Sequence, residues 1–173
     1  MKKLIVFSLF LCFSLVWGQK SISTVRIGDI RINDSVQSIE KKLGIKLKFK
    51  APAEEYGFYT AKVTQYDAPI ELSFYRNEYE NKISYSLSSI STKSAALKTI
   101  SGMGVGNTYK ELFNTYKDKN FNVYSDYENK NLRYFILEEN DENSGLYTYL
   151  TFTMENDVVI EVSVANRGDE CGC

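Results

Sequence analysis

The chain of 173 residues contains no histidine. Histidine is the usual general base near neutral pH and the commonest zinc ligand, so its absence excludes every Ser–His and Cys–His nucleophile pair. An enzyme with this sequence would have to use carboxylates, Lys or Tyr. Adjacent carboxylates such as Glu138 and Glu139 point to opposite faces of a strand and give weak support for a catalytic pair. The sequence therefore predicts a protein that is not an enzyme and that uses no metal or cofactor.

The sequence also lacks a basic surface and a second long apolar segment. Its 21 Lys and Arg residues face 22 Asp and Glu residues, for a net charge of −1, and they form no basic stripe. We therefore expect no nucleic-acid partner. After Trp17 no apolar run approaches the roughly 20 residues that a membrane-spanning helix needs. We expect no stable membrane insertion of the remaining chain.

The first 18 residues have the three parts of a secretory signal peptide. Lys2 and Lys3 carry positive charge, an apolar run of 14 residues follows from Leu4 to Trp17, and Gly18 is the small residue at the cleavage position. An uncleaved anchor is the alternative, but this run is shorter than a spanning helix needs. We predict cleavage near Gly18 and an extracytoplasmic location, either periplasmic or secreted.

Cysteine is scarce, and only Cys171 and Cys173 remain once signal cleavage removes Cys12. In an oxidising compartment the two thiols could bond to each other, link two chains, or bind a soft metal ion. A ring that short stabilises a fold little, and a lone Cys-x-Cys lacks the further ligands of a strong metal motif. We therefore favour an incidental or intermolecular disulfide, the latter giving a dimer linked through the C-terminal tail.

One pattern occurs twice in the sequence, 73 residues apart. Residues 32–43 align with residues 105–116, and both segments have a polar cap followed by an apolar helix face. The related phrases Leu72-Ser73-Phe74 and Leu150-Thr151-Phe152 come later in each half. A duplication of this size predicts two units that each bury an apolar face. The predicted divisions are 1–18 for the signal peptide, 19–92 for the first unit and 93–173 for the second.

Each unit is predicted to be a short helix packed on an antiparallel four-stranded sheet, which makes the fold class α+β with two tandem repeats. Asp34 can cap the first helix and Gly44 ends it, while Thr108 and Glu111 match a capping box at the second. The Ser-rich segment 88–101 is predicted to link the units. The predicted elements are a leading strand at 21–27, helices at 34–43 and 108–116, and strands at 45–50, 57–65, 70–76, 83–87, 121–124, 132–138, 146–154 and 158–165.

Aromatic residues are abundant, and all 13 tyrosines lie after the signal peptide. Tyr offers a large contact area at a small entropic cost and is enriched at protein interfaces. If helices cover one face of the sheet, many of these rings must line the other face. We select Tyr75, Tyr85, Tyr147 and Tyr149 as candidate protein-binding residues. The alternative is that such tyrosines are cross-strand pairs that only stabilise a solvated sheet.

The second unit also resembles a known family. The phrase Val105-Gly106-Asn107-Thr108 before a short helix, and the closing strands that begin with Leu150-Thr151-Phe152, are similar to the tandem repeat of beta-lactamase-inhibitor-protein-like domains. Small outer-membrane-assembly lipoproteins contain one copy of a similar unit. The resemblance implies an exported, non-enzymatic protein that binds other proteins through its sheet. The chain lacks a second helix per unit, the disulfides of the inhibitors and the lipid-attachment cysteine of the assembly proteins, so inhibition and anchoring are not implied.

Together these patterns predict an exported protein-binding module of the bacterial envelope or exterior, whose partner is an unknown protein. Two alternatives stay open. One is a histidine-free, carboxylate-based hydrolase with its site between the units, and the other is a carrier that shelters a small apolar molecule between sheet and helices. Converging carboxylates from both halves would favour the hydrolase, whereas a flat, tyrosine-rich face would favour the binding module.

Overall fold

A computed structural model describes residues 21–53, 57–141 and 146–166, except for the side chains of Asp141 and Leu146. The predicted signal peptide and the tail cysteines Cys171 and Cys173 lie outside the described residues. Strands dominate the described part, with two helices of eight residues each. Neither described helix has the length and apolarity needed to cross a lipid bilayer.

The described strands form a small sheet of four strands and a large sheet of seven. The helices are α1 (Val36–Leu43) and α2 (Tyr109–Tyr116). The small sheet has the order β3-β2-β1-β7 and consists of β1 (Ser21–Ser23), β2 (Arg26–Ile27), β3 (Ile30–Arg31) and β7 (Lys98–Thr99). The large sheet has the order β4-β5-β6-β11-β10-β9-β8 and consists of β4 (Tyr59–Gln65), β5 (Ala68–Tyr79), β6 (Lys82–Thr92), β8 (Phe121–Ser125), β9 (Leu132–Asp141), β10 (Leu146–Glu155) and β11 (Val158–Asn166). All neighbours in the large sheet are antiparallel.

The predicted fold class, two repeats that each place a helix on their own four-stranded sheet, is wrong. One seven-stranded sheet crosses both halves because β6 pairs with β11, with Ile90 opposite Val164. This pairing is available because β6 continues to Thr92, through residues predicted to belong to a linker. The four-stranded sheet is instead built from the residues before α1 and from β7, which lies between the halves.

Two predicted strands also differ from the structure. Residues 45–50 form no ladder, and only Lys50 bridges Thr60 of β4. Leu47 and Phe49 still pack on the core, so the alternation correctly marks the buried side chains but not a strand. The leading strand predicted at 21–27 is divided, because β1 and β2 fold back on each other as a hairpin. The remaining predicted strands of both halves correspond to β4, β5, β6, β8, β9, β10 and β11, and the predicted helices correspond to α1 and α2.

The hydrophobic core lies on one side of the large sheet, which we call the inner face. Phe74, Phe135 and Phe152 project from β5, β9 and β10 and are fully buried there. Ile39 of α1 and Leu112 of α2 are buried in the same cluster, so both helices cover this face. Fully burying such a side chain contributes about 1.5–3 kcal/mol. The three small-sheet isoleucines Ile22, Ile27 and Ile30 complete the core.

Both helices begin at capped residues. Ser35, not the predicted Asp34, caps α1, because its hydroxyl accepts a hydrogen bond from the Ser38 backbone at 3.2 Å. The Asp34 carboxylate is engaged by Lys42 at 2.6 Å instead. The predicted end of α1 is confirmed, since Gly44 adopts the left-handed conformation with a φ of 66°.

The predicted capping box of α2 is confirmed. The Thr108 hydroxyl accepts from the Glu111 backbone at 3.3 Å, and the Glu111 carboxylate accepts from the Thr108 backbone at 2.7 Å. The hydrogen bond from the Thr108 backbone is the largest cause that lowers the pKa of Glu111 below its ordinary value of 4.5. This contribution to stability is therefore full above pH 4.5 and is lost as the pH falls through the lower pKa of the folded chain.

Replacing Thr108 with Ala should lower the free energy of unfolding by about 1 kcal/mol, because it leaves an amide of the first turn without its acceptor. Urea denaturation followed by circular dichroism measures the change. Thr115→Ala, at an exposed position of the same helix, is the matched control and should be neutral or slightly stabilising. Equal losses in the two variants would contradict the capping role.

Candidate functional site

The side of the large sheet opposite the core, which we call the outer face, has no described helix or strand lying over it. None of its outward side chains is buried, whereas inward residues of the same strands are. Many of these side chains are short and carry a hydroxyl group. The outward serines and threonines are Thr60, Thr64, Ser73, Ser84, Ser86, Ser89, Ser91, Thr151, Thr153 and Ser163. The outer face is thus a broad polar surface with open access.

Larger side chains project from β5 and β10, the two strands that flank the central strands β6 and β11. Ser73, Ser89, Ala165 and Tyr149 occupy one row across β5, β6, β11 and β10. Tyr75 and Tyr147 each lie two residues further along, toward the same end of the sheet. Because adjacent strands are about 4.8 Å apart, β5 and β10 are separated by about 14 Å.

From the side-chain sizes and the strand spacing we infer a shallow depression between these strands, which we call the central channel. The central strands β6 and β11 form its floor with Ser86, Ser89, Ser91, Ser163 and Ala165. The tyrosines on β5 and β10 form its walls at one end. A floor of small side chains between aromatic walls gives this part of the outer face a definite shape, not a featureless plane.

Each wall is built from an aromatic pair. On one side the ring of Tyr75 lies 4.6 Å from that of Phe58, measured between centroids. On the other side the rings of Tyr147 and Tyr149 are 5.8 Å apart. The Tyr147 hydroxyl also donates a hydrogen bond to Glu138 at 3.2 Å. These contacts hold the rings in place, so less side-chain entropy is lost when a partner binds.

The fourth predicted tyrosine, Tyr85, is not on the outer face. Its ring stacks on Phe49 at 4.3 Å and meets Tyr59 edge-on at 5.3 Å, on the side of the core. The cause is a bulge in β6: Ser89 pairs with Ser73, but the next pair joins Leu87 to Phe74. The additional residue reverses the alternation, and Tyr85 turns inward with Leu87.

Phe58 and the serines of the channel floor were not predicted as site residues. Phe58 lies in the predicted strand 57–65, but Tyr75 becomes its neighbour only through the pairing of β4 with β5. The serines did leave a signal. In the segment 86–92 they alternate with Leu87 and Ile90 apart from one extra serine, which is the pattern of a bulged strand with one polar face.

The opposite end of the outer face is charged. Lys62 and Glu71 form an ion pair at 3.2 Å, and Lys93 and Glu161 form another at 3.4 Å. The four residues border a shallow cavity of about 290 Å³ beside Ser91. The two carboxylates come from different halves, as a hydrolase would require, but each one is engaged by a lysine. Surface pairs of this kind contribute about 0–1 kcal/mol and do not form an acid–base pair.

A second concave site lies on the other side of the molecule, between the two sheets. It is a groove of about 540 Å³ at the carboxyl end of α2. The apolar side chains Ile22, Leu137 and Leu150 line it, with Thr24, Lys119 and Glu139 among its polar residues. Tyr116 also lines it and shares a hydrogen bond of 3.0 Å with Thr99. Burial raises the pKa of Tyr116 above its ordinary value, which keeps its hydroxyl protonated.

Metal binding finds no support in the described part of the chain. No three acidic or cysteine side chains cluster there in a way that could hold an ion. Cys171 and Cys173 lie outside the described residues, so their predicted disulfide or thiol roles stay predictions.

No protein-family model, curated protein or solved structure matches the chain. The resemblance to beta-lactamase-inhibitor-protein-like domains therefore rests on its short motifs alone and stays a prediction.

Tyr85→Ala should lower the free energy of unfolding by about 2 kcal/mol, because a half-buried ring that stacks on Phe49 is lost from the edge of the core. Tyr149→Ala, which removes a ring from the outer face, should have a clearly smaller effect. Urea denaturation of both variants measures the difference. A larger loss for Tyr149→Ala would contradict the assignment of the two rings to opposite faces.

Proposed function

We propose that the protein is an exported, non-enzymatic module of the bacterial envelope or exterior that binds another protein through its outer face. The arrangement of side chains along the central channel carries the proposal. It combines two aromatic pairs, a floor of small residues that are mostly serines, and a charged end, on a face over which no described helix or strand lies. The proposed export follows from the signal-peptide pattern of residues 1–18.

The chemistry of the channel suits a protein ligand. Tyr side chains are frequent binding hot spots because they bury a large apolar surface while keeping a hydroxyl for hydrogen bonding. The serine hydroxyls of the floor both donate and accept, so they can satisfy polar groups of a partner's side chains. A partner segment that places an apolar side chain between Tyr75 and Tyr149 would use both features.

The charged end of the outer face can fix the orientation of a bound partner. The ion pairs Lys62–Glu71 and Lys93–Glu161 lie at the end of the outer face opposite the tyrosines. Charged groups at the rim of an interface fix register and speed association more than they add affinity. A partner with an apolar segment followed by charged residues would therefore dock in a single direction along β6 and β11.

The double variant Tyr75→Ser and Tyr149→Ser should weaken binding of the partner at least tenfold, because it removes one ring from each wall. The matched control is Tyr124→Ser with Tyr127→Ser, two exposed tyrosines in β8 and just after it, away from the channel, which should bind like the native protein. The partner is first captured from envelope and culture-medium fractions with the native protein. Its affinity for each purified variant is then measured by isothermal titration calorimetry.

Equal affinities for the two double variants would contradict the channel as the binding site. So would the absence of any partner that binds the native protein after purification. Circular dichroism and urea denaturation of each variant establish that the fold is retained.

The groove between the two sheets favours a second candidate function, that of a carrier for a small apolar molecule. Its volume of about 540 Å³ lies within the range of ligand pockets, and its apolar residues Ile22, Leu137 and Leu150 offer a dry contact surface. Thr24→Trp would introduce a large ring at the groove. If the protein is a carrier, this change should abolish saturable binding of a fluorescent fatty acid. Binding that persists in the variant would exclude the groove.

A further inference from the structure

The two edges of the large sheet are not equally protected. At the β4 edge, Lys50 exchanges backbone hydrogen bonds with Thr60 at 2.7 and 3.0 Å, and Lys62 places a charge on the strand. At the other edge, β8 has a hydrogen-bonded neighbour only in β9 among the described strands. Its sequence from Phe121 to Ser125 contains no charge and no proline, the residues that usually protect an exposed edge.

The backbone of β8 offers a regular set of outward groups. The Asp126 amide donates to Leu132 at 3.0 Å, which fixes the alternation of the β8–β9 ladder. In an antiparallel ladder, every second residue then bonds the neighbouring strand, and the residues between point away from it. The backbone N–H and C=O groups of Asn122 and Tyr124 therefore face β9. Those of Phe121, Val123 and Ser125 face outward.

Apolar side chains gather at the same edge. Val123 is 38% exposed and Tyr124 55% exposed, on opposite faces of the strand. Phe113 of α2, 41% exposed, lies beside Phe121 with the ring centroids 5.9 Å apart. An unprotected strand edge with apolar groups on both sides is a typical site for the addition of another strand.

We propose that the occupant of this edge is a second copy of the same chain, with β8 pairing antiparallel to β8 around a two-fold axis at Val123. In that register Val123 lies opposite Val123 of the partner copy, and Phe121 lies opposite Ser125. These three residues are the ones whose backbone groups face outward. The edge is thus complementary to itself, as a two-fold interface requires.

The charges that flank β8 also fit this pairing. Lys117, Asp118 and Lys119 precede the strand with a net charge of +1, and Asp126, Glu128 and Lys130 follow it with a net charge of −1. Antiparallel pairing brings the first group of one copy to the second group of the other, twice per dimer. A parallel arrangement would place like charges together, which lowers affinity.

Such a dimer would extend the outer face. Residues directly opposite each other in an antiparallel pair project to the same side, so the outer faces of both copies would lie on one side of a continuous sheet. Phe113 and Val123 of each copy would meet near the axis on the inner side. The dimer would thus be held by apolar contacts and backbone hydrogen bonds and would leave both central channels accessible.

The test uses the protein under reducing conditions, so that tail cysteines cannot link chains. Sedimentation equilibrium of the native protein should show a concentration-dependent dimer, and Val123→Lys should weaken it at least tenfold by placing two like charges at the axis. Thr64→Lys, which adds the same charge to the β4 edge, is the matched control and should dimerise like the native protein. A native protein that stays monomeric up to about 100 μM, or a dimer that Val123→Lys leaves intact, would overturn the proposal.

A second experiment tests the register. Residues directly opposite across a hydrogen-bonded antiparallel pair have Cα atoms about 5.5 Å apart, within the range that a disulfide spans. In a chain with Cys12, Cys171 and Cys173 replaced by Ser, Val123→Cys should form disulfide-linked dimers on mild oxidation. Lys62→Cys on the opposite edge should not. No cross-linking at position 123, or equal cross-linking at both positions, would contradict pairing at Val123.

Discussion

The pairing of β6 with β11 is the constraint on which the rest of the molecule depends. It joins strands from the two halves of the chain, with Ile90 opposite Val164, and so creates one sheet with a single inner and a single outer face. The helices and the small sheet all pack on the inner face. No described helix or strand lies over the outer face, which has the small residues of β6 and β11 at its centre and tyrosines on both sides.

The sequence predicts those features that depend on near neighbours. Helix α2 and its capping box follow from Thr108 and Glu111, because the two residues interact across a single turn. The strands of the second half follow from alternating side chains. The pairing of the two halves could not be predicted in this way, because Ile90 and Val164 are more than seventy residues apart in the sequence. The Ser-rich composition of β6 indicates a linker, yet in the fold Ser89 and Ser91 lie on the solvent side of a central strand.

The candidate site was predictable to a similar extent. Composition identifies Tyr as the residue to consider, and Tyr75, Tyr147 and Tyr149 do share the outer face. Tyr85 was misplaced because one extra residue in β6 reverses the alternation, and the sign of this bulge, two serines between Leu87 and Ile90, was not used in the prediction. The channel itself is a property of four aligned strands. Its walls come from β5 and β10, which no local pattern places on either side of β6 and β11.

Site-specific photo-cross-linking can show whether a partner lies over β6 and β11. A benzophenone amino acid is introduced at Ser89, on the channel floor, and separately at Gln37, an exposed position of α1 on the other side of the molecule. If the partner binds along the central channel, irradiation of living cells should link a defined protein to the chain from position 89 and not from position 37. A protein linked only from position 37, or from neither position, would contradict binding along the central channel.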